Sequence, residues 1–351
     1  MQYNSYWYFK SMRMKSGTKA QACTARDAAD PSTFVALCFY GLARALASSS
    51  ASFATNLIGP LRAQAGALDI FVHGLLTNRD QGRTTHSLGI DYTPDWSFAR
   101  PCEVLLEDQE RADVENNISH VAIQFRQQSF GYSLQTSMNF VRAYYSISRV
   151  AELVRRQQIR SGASYTHVVL ARSDTGFLTP LRWKAPARDT IAVPNFQHWR
   201  GVNDRFAMGD ARPMLDVLMS QFVGWHRRGV ASELEGVLPE KARCLMLSSQ
   251  RVHVAVVPLC LARIRSSGKA SLCDTAPHPA FCYWSGVEAT WPWGREIPMC
   301  IAKRAGSHQY LVRSPSDLDE PCGDAISVVR AMKRFGWTPT YSLPLEAGAS
   351  D

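Results

Sequence analysis

Two short polar segments combine residue types that could do chemistry. The first is Arg172-Ser173-Asp174, which follows the apolar, β-branched stretch Thr166-His167-Val168-Val169-Leu170-Ala171. The second is Asn203-Asp204-Arg205-Phe206-Ala207-Met208-Gly209, reached through the aromatic and polar loop Asn195-Phe196-Gln197-His198-Trp199-Arg200-Gly201. A carboxylate held at the end of a strand can carry a hard divalent cation that bridges the phosphates of a nucleotide, because such cations prefer oxygen ligands. Asp174 is the candidate metal ligand. Asp204 and Glu233 are candidates for a base that takes a proton from an attacking hydroxyl. The rings of Phe196 and Trp199, with the neighbouring amides, suit the flat face of a sugar. Each feature also has a purely structural reading. An Asp after a strand forms turns, Asn203-Asp204 could cap a following helix, and Ser232 with Glu235 three residues on makes a capping box that leaves only Glu233 for chemistry.

Positioning such groups requires strands whose carboxyl ends share one edge. Phe34 to Tyr40 reads as the first strand, Leu68 to His73 as the second, Cys102 to Glu107 as a third and Val252 to Leu259 as a late one. A helix carrying Phe53, Leu57, Ile58 and Leu61 lies between the first two, and strand, helix, strand spacing favours a parallel sheet. Ser133 to Gln158 is the longest expected helix, with Leu134, Met138, Val141, Tyr145, Val150 and Leu153 near one face and arginines toward its end. Met214, Leu215, Leu218 and Met219 define another, expected to break near Gly224. The expected fold is therefore α/β, a mostly parallel central sheet with helices on both faces, with a loop-rich C-terminal extension. Ligands of open α/β sheets bind outside the carboxyl ends of the strands, where Arg172 and Asp174 fall. Thr77 to Arg100 reads as a long loop able to cover such a site.

These segments, taken in order from Phe34 to Gly268, resemble a family of glycosyltransferases with the GT-A type nucleotide-sugar fold, found in microbes, algae and large viruses. The residues that carry the resemblance are Phe34-Val35-Ala36-Leu37-Cys38-Phe39-Tyr40-Gly41-Leu42-Ala43-Arg44, Leu68-Asp69-Ile70-Phe71-Val72-His73, Tyr165 to Phe177, Gly201 to Gly209, and Ser232 to Leu238. The most specific piece is Gly201-Val202-Asn203-Asp204-Arg205-Phe206-Ala207-Met208-Gly209. The resemblance implies a sugar moved from a nucleotide-sugar donor to a glycan or other hydroxyl acceptor. It implies Gly41, Arg44, Asp69, Arg172 and Asn203 at the nucleotide, and Mn2+ or Mg2+ at Asp174. One departure stands out: Asp174 is followed by Thr175-Gly176-Phe177, so no second acid lies within two residues and a two-carboxylate Asp-x-Asp site is not present. The remaining metal ligands would be phosphate oxygens, water or a distant acid such as Asp204, with Arg172 and Arg44 sharing the neutralisation of a diphosphate. The missing acid also suits a catalytically silent glycan- or nucleotide-binding protein of the same fold.

Composition bounds the remaining classes. With 351 residues, 46% hydrophobic and 20% charged, the chain can bury a large core and is not disordered overall. A net charge of +9 suits anionic ligands, but the basic residues are scattered and no specific nucleic-acid partner is expected. A serine hydrolase is not expected either, since no Gly-x-Ser-x-Gly elbow occurs. Residues 1–30 carry Lys10, Arg13, Lys15, Lys19 and Arg26 and read as a flexible or targeting leader; 31–268 form the nucleotide-sugar domain; 269–351 form the irregular extension packed on it. No apolar run is long enough to span a bilayer, and cytoplasm and Golgi lumen both stay open. Among nine cysteines, Cys38, Cys244 and Cys260 read as free thiols in apolar strands, while Cys273, Cys282, Cys300 and Cys322 leave secretory disulfides open. Asn117-Ile118-Ser119 is a glycosylation acceptor only on the secretory route.

Overall fold

A computed structural model describes residues 23, 33–43, 45–77, 94–126, 133–194, 202–229, 239–257, 259–264, 268–271, 330 and 332–339. Among these, seven strands build the main sheet: β1 (Phe34–Tyr40), β2 (Ala67–Leu76), β3 (Glu103–Asp108), β4 (His167–Arg172), β6 (Thr190–Pro194), β7 (Phe206–Asp210) and β8 (His253–Val257), in the order β3-β2-β1-β4-β7-β6-β8. β7 is antiparallel to both its neighbours, and the other pairings are parallel. A smaller sheet joins β5 (Thr175–Phe177), β9 (Leu261–Ile264), β10 (Lys269–Ser271) and β11 (Thr338–Pro339). The chain winds outward from β1 through β2 to β3, then returns to place β4 on the other side of β1. That reversal is the switch point at which open α/β sheets bind ligands.

Both faces of the sheet are covered, as the continuous apolar run of β1 requires. Val35, Leu37 and Phe39 join one core with Leu46, Phe53, Leu57, Ile58 and Leu61. Those residues belong to α1 (Leu46–Ser52), a wide-turned stretch Phe53–Ile58 and α2 (Gly59–Gln64), which run on from one another. Pro60 sits at the start of α2, directly after the wide-turned stretch, and the helix continues past it to Gln64. Phe34, Ala36, Cys38 and Tyr40, alternating with the first set as a pleat demands, join a second core with Ile147, Val150, Leu153 and Val154.

The latter four lie on α5 (Leu134–Ser161), preceded by α3 (Gln109–Glu115) and α4 (Ile118–Arg126). Ser133 caps α5 by accepting from the Thr136 N–H, and Gly162 at φ +66° ends it. Arg142 of this helix donates to Asp113 at 2.9 Å, and the Tyr145 hydroxyl donates to Glu107 near the carboxyl end of β3 at 2.7 Å.

Other expectations are corrected. After β7 the helical turns Pro213–Leu218 give way at Met219 and Ser220, and Gly224 lies inside α6 (Gln221–Arg228), which Gly229 terminates. Cys244 lies on α7 (Pro239–Ser249), not on a strand, and Cys260 is disulfide-bonded, not free; Cys38 is free and buried. Of the expected covering loop, residues 78–93 lie outside the described residues. Its last residues pack down, with Trp96 buried against Phe39 and Phe98. The 1–30 leader lies outside the described residues except Cys23, as do Trp284, Trp291, Trp293 and the other cysteines of the extension. No helix among the described residues is long and apolar enough to cross a membrane.

Candidate active site

The carboxyl ends of β1 and β4 meet at the switch point, where the chain must turn sharply. Gly41 follows β1 at φ +97°, a conformation that side chains with a Cβ rarely adopt. Its N–H donates to Ser146 Oγ of α5 at 2.7 Å. Ser146 Oγ lies 2.7 Å from His73 Nδ1, and His73 Nε2 lies 2.8 Å from Glu107 Oε2. The ionised Glu107 makes Nε2 the donor, so Nδ1 accepts the Ser146 proton and Ser146 accepts from Gly41. Ser146 and His73 are fully buried. The Ser, His and acid line is therefore a brace for the Gly41 turn and offers no accessible nucleophile. Burial lowers the His73 pKa, which keeps the ring neutral.

Across from Gly41, Arg172 and Asp174 form a two-pronged pair, Nε to Oδ1 at 2.8 Å and Nη2 to Oδ2 at 3.0 Å. Asp174 is 1% exposed. Arg263 Nε of β9 approaches the same Oδ2 at 3.4 Å. The backbone joins the two sheets here, with the Ile264 N–H donating to the Asp174 carbonyl at 2.7 Å.

Arg172 Nη1 then reaches Asp204 Oδ2 at 3.4 Å, tying the second acid to the first through one guanidinium. Asn203 is buried and its Oδ1 accepts from the Arg205 N–H at 2.8 Å, an Asx turn that aims Asp204 toward the strand ends. The Tyr40 hydroxyl donates to the Asp204 carbonyl, and Arg243 of α7, itself 1% exposed, donates to the Asn203 carbonyl at 2.7 Å and crosses the Tyr144 ring.

Among the described residues, Arg172, Arg205, Arg243 and Arg263 all act on Asp204. Burial raises the Asp204 pKa, but the four arginines outweigh it and hold the carboxyl below its usual range. The side chains that reach solvent are Arg172 (19% exposed), Asp204 (23%) and Arg263 (24%). An anion arriving at the strand ends meets these three first.

Gly41, Arg172, Asp174, Asn203 and Asp204 are thus brought together. Asp69 is not: its register partner is Ala36, four residues before Tyr40, which sets it about 13 Å from the strand ends at the opposite edge of the sheet. Arg44 and Glu233 lie outside the described residues, as do Phe196 and Trp199. Sequence reading missed Tyr40, Ser146, Arg205, Arg243 and Arg263. Arg205 stood in the quoted segment beside Asp204, but Arg243 and Arg263 come from a helix and a strand with no local signal of shared purpose.

The fold and site define an α/β protein with a cation-rich switch point. No family model and no curated protein matches the sequence. Among solved structures, the apo form of mouse xyloside xylosyltransferase 1 is similar to this chain at 9% identity and a TM-score of 0.31, over 64% of this chain and 85% of that one. A likeness so distant carries no argument about activity.

Proposed function

We propose that the chain is a glycosyltransferase whose switch point holds the diphosphate of a nucleotide-sugar donor. The observation that carries this reading is the gathering of Arg172, Arg205, Arg243 and Arg263 around Asp204 at the carboxyl ends of β1 and β4, with Arg172 and Arg263 partly open to solvent. Guanidinium geometry matches the oxygens of a diphosphate. When the bond from sugar to phosphate breaks, negative charge accumulates on the departing diphosphate, and the solvent-reaching Arg172 and Arg263 stabilise it. Gly41 N–H is spent on Ser146, so Gly41 serves the shape of the turn and does not itself donate to phosphate.

Two expectations change within this reading. The Asp174 carboxylate is spanned by Arg172 and approached by Arg263, and Asp204 shares the same guanidinium, so this donor set does not suit Mn2+ or Mg2+. In the proposed arrangement Asp174 positions Arg172, and the arginines neutralise the diphosphate. Asp204, held ionised below the usual carboxylate range, is a weak proton acceptor and better suited to orienting sugar hydroxyls. A base, if the transfer inverts configuration, falls to Glu233 or another group.

Titration of the purified chain with nucleoside diphosphates and nucleotide sugars, with and without EDTA, tests the reading. Binding that survives EDTA and weakens at least tenfold in Arg263→Ala is expected, together with turnover of one donor class. Binding without turnover of any donor would favour the silent binding protein. Absence of binding to any diphosphate by folded protein would remove the reading.

A further inference from the structure

At the opposite edge of the sheet, three potential metal ligands converge. Cys23, Asp69 and Cys102 place two thiol sulfurs and a carboxylate oxygen within 4.8 Å of one another. Two of the three are fixed by the fold. Asp69 is 2% exposed and set in the β2 ladder opposite Ala36. Cys102 precedes β3 and is anchored by its N–H, which donates to the Ile70 carbonyl at 2.8 Å. Cys23 completes the group, its sulfur within 4.8 Å of the Cys102 sulfur and of the Asp69 carboxylate. Behind the carboxylate, the Tyr165 hydroxyl donates to Asp69 Oδ2 at 2.7 Å, and Tyr165 is itself wedged between Phe34 and Phe71. An outer partner that orients a ligating carboxylate is a recurring part of protein metal sites.

We infer that Cys23, Asp69 and Cys102 bind a zinc ion and so fasten the chain at Cys23 to the amino ends of β2 and β3. Thiolate donors select zinc over the hard ions Mn2+ and Mg2+. Zinc holds sulfur at about 2.3 Å and oxygen at about 2.0–2.2 Å, so the three donors close around it with a small contraction. Binding replaces the two thiol protons, which pass to solvent, and a water fills the fourth tetrahedral position. The site is independent of the diphosphate reading: it lies at the other edge of the sheet and shares no residue with it.

The test uses the full chain, purified with a reductant and stripped by a chelator, then titrated with Zn2+ against a chromophoric competitor and separately with Co2+. One zinc per chain and a thiolate-to-cobalt absorption band in the near ultraviolet are expected. Cys23→Ser and Cys102→Ser each weaken zinc at least tenfold with far-ultraviolet circular dichroism unchanged, and Tyr165→Phe weakens it by about 10- to 100-fold through the outer partner. Cys23→Ser leaves the β2 and β3 ladder intact, so its result stands even if Cys102→Ser unfolds. Zinc bound equally well by Cys23→Ser would overturn the inference, as would a Cys23–Cys102 disulfide in the non-reduced peptide map of the native protein.

Discussion

Replacing Glu107 by Gln should test whether the buried brace behind Gly41 is held by charge. Glu107 accepts from the Tyr145 hydroxyl at 2.7 Å and lies 2.8 Å from His73 and 3.1 Å from Arg149, whose side chains are 0% and 9% exposed. Burial raises its pKa, but the hydrogen bonds from His73 and Tyr145 and the charge of Arg149 outweigh that and bring it from 4.5 to about 2. A folded value below the unfolded one adds stability that is present above pH 4.5 and is lost as pH falls toward 2. The depression corresponds to about 3 kcal/mol at neutral pH, of which about 2 kcal/mol is gone by pH 3. Urea unfolding of wild type and Glu107→Gln at pH 7 and pH 3 reads both quantities. The variant should be less stable by about 3 kcal/mol at pH 7, and the gap should narrow to about 1 kcal/mol at pH 3. Donor affinity should fall as well, because His73 loses the partner that sets its tautomer and Ser146 loses its hold on Gly41. A variant within about 0.5 kcal/mol of wild type at pH 7, with the same acid dependence, would refute the reasoning.

Other consequences are open to measurement. A Cβ on Gly176 would sit 2.0 Å from Trp337 Cη2, so Gly176→Ala should cost about 1–3 kcal/mol or more, and the cost should shrink in a Trp337→Ala background; equal costs in both backgrounds would deny the contact. Asp174→Asn should both weaken diphosphate binding and lower stability by about 3–5 kcal/mol, since it leaves Arg172 with only Asp204; calorimetry and urea unfolding separate the two effects. Arg172→Lys keeps the charge but loses the two-pronged grip on Asp174, and donor affinity at least tenfold lower is expected; wild-type affinity would show that charge alone suffices.

Strands were the legible part of this chain. Runs such as Phe34 to Tyr40 and Val168 to Ala171 are apolar on both faces because both sides of the sheet are covered, and that pattern is local. Ser133 likewise announces the start of α5, whereas the helix runs on to Ser161, three residues past the expected end at Gln158, and stops at Gly162. Asp174 and Asp204 were visible as acids at strand ends. Their partners were not, because Arg243 comes from α7 and Arg263 from β9 of the small sheet, both far from Asp174 and Asp204 in the chain. The separation of Asp69 from the carboxyl ends was legible, since it stands second in the run Leu68 to His73; ladder register opposite Ala36 fixes the distance.

Sequence alone thus determined the α/β class and the acids at the strand ends, since hydrophobic period and turn chemistry are short-range. Only the tertiary structure decided which charges face one another. It brought Arg172, Arg205, Arg243 and Arg263 around Asp204 and gathered Cys23, Asp69 and Cys102 at the far edge, because packing sets both groupings between residues distant in the chain.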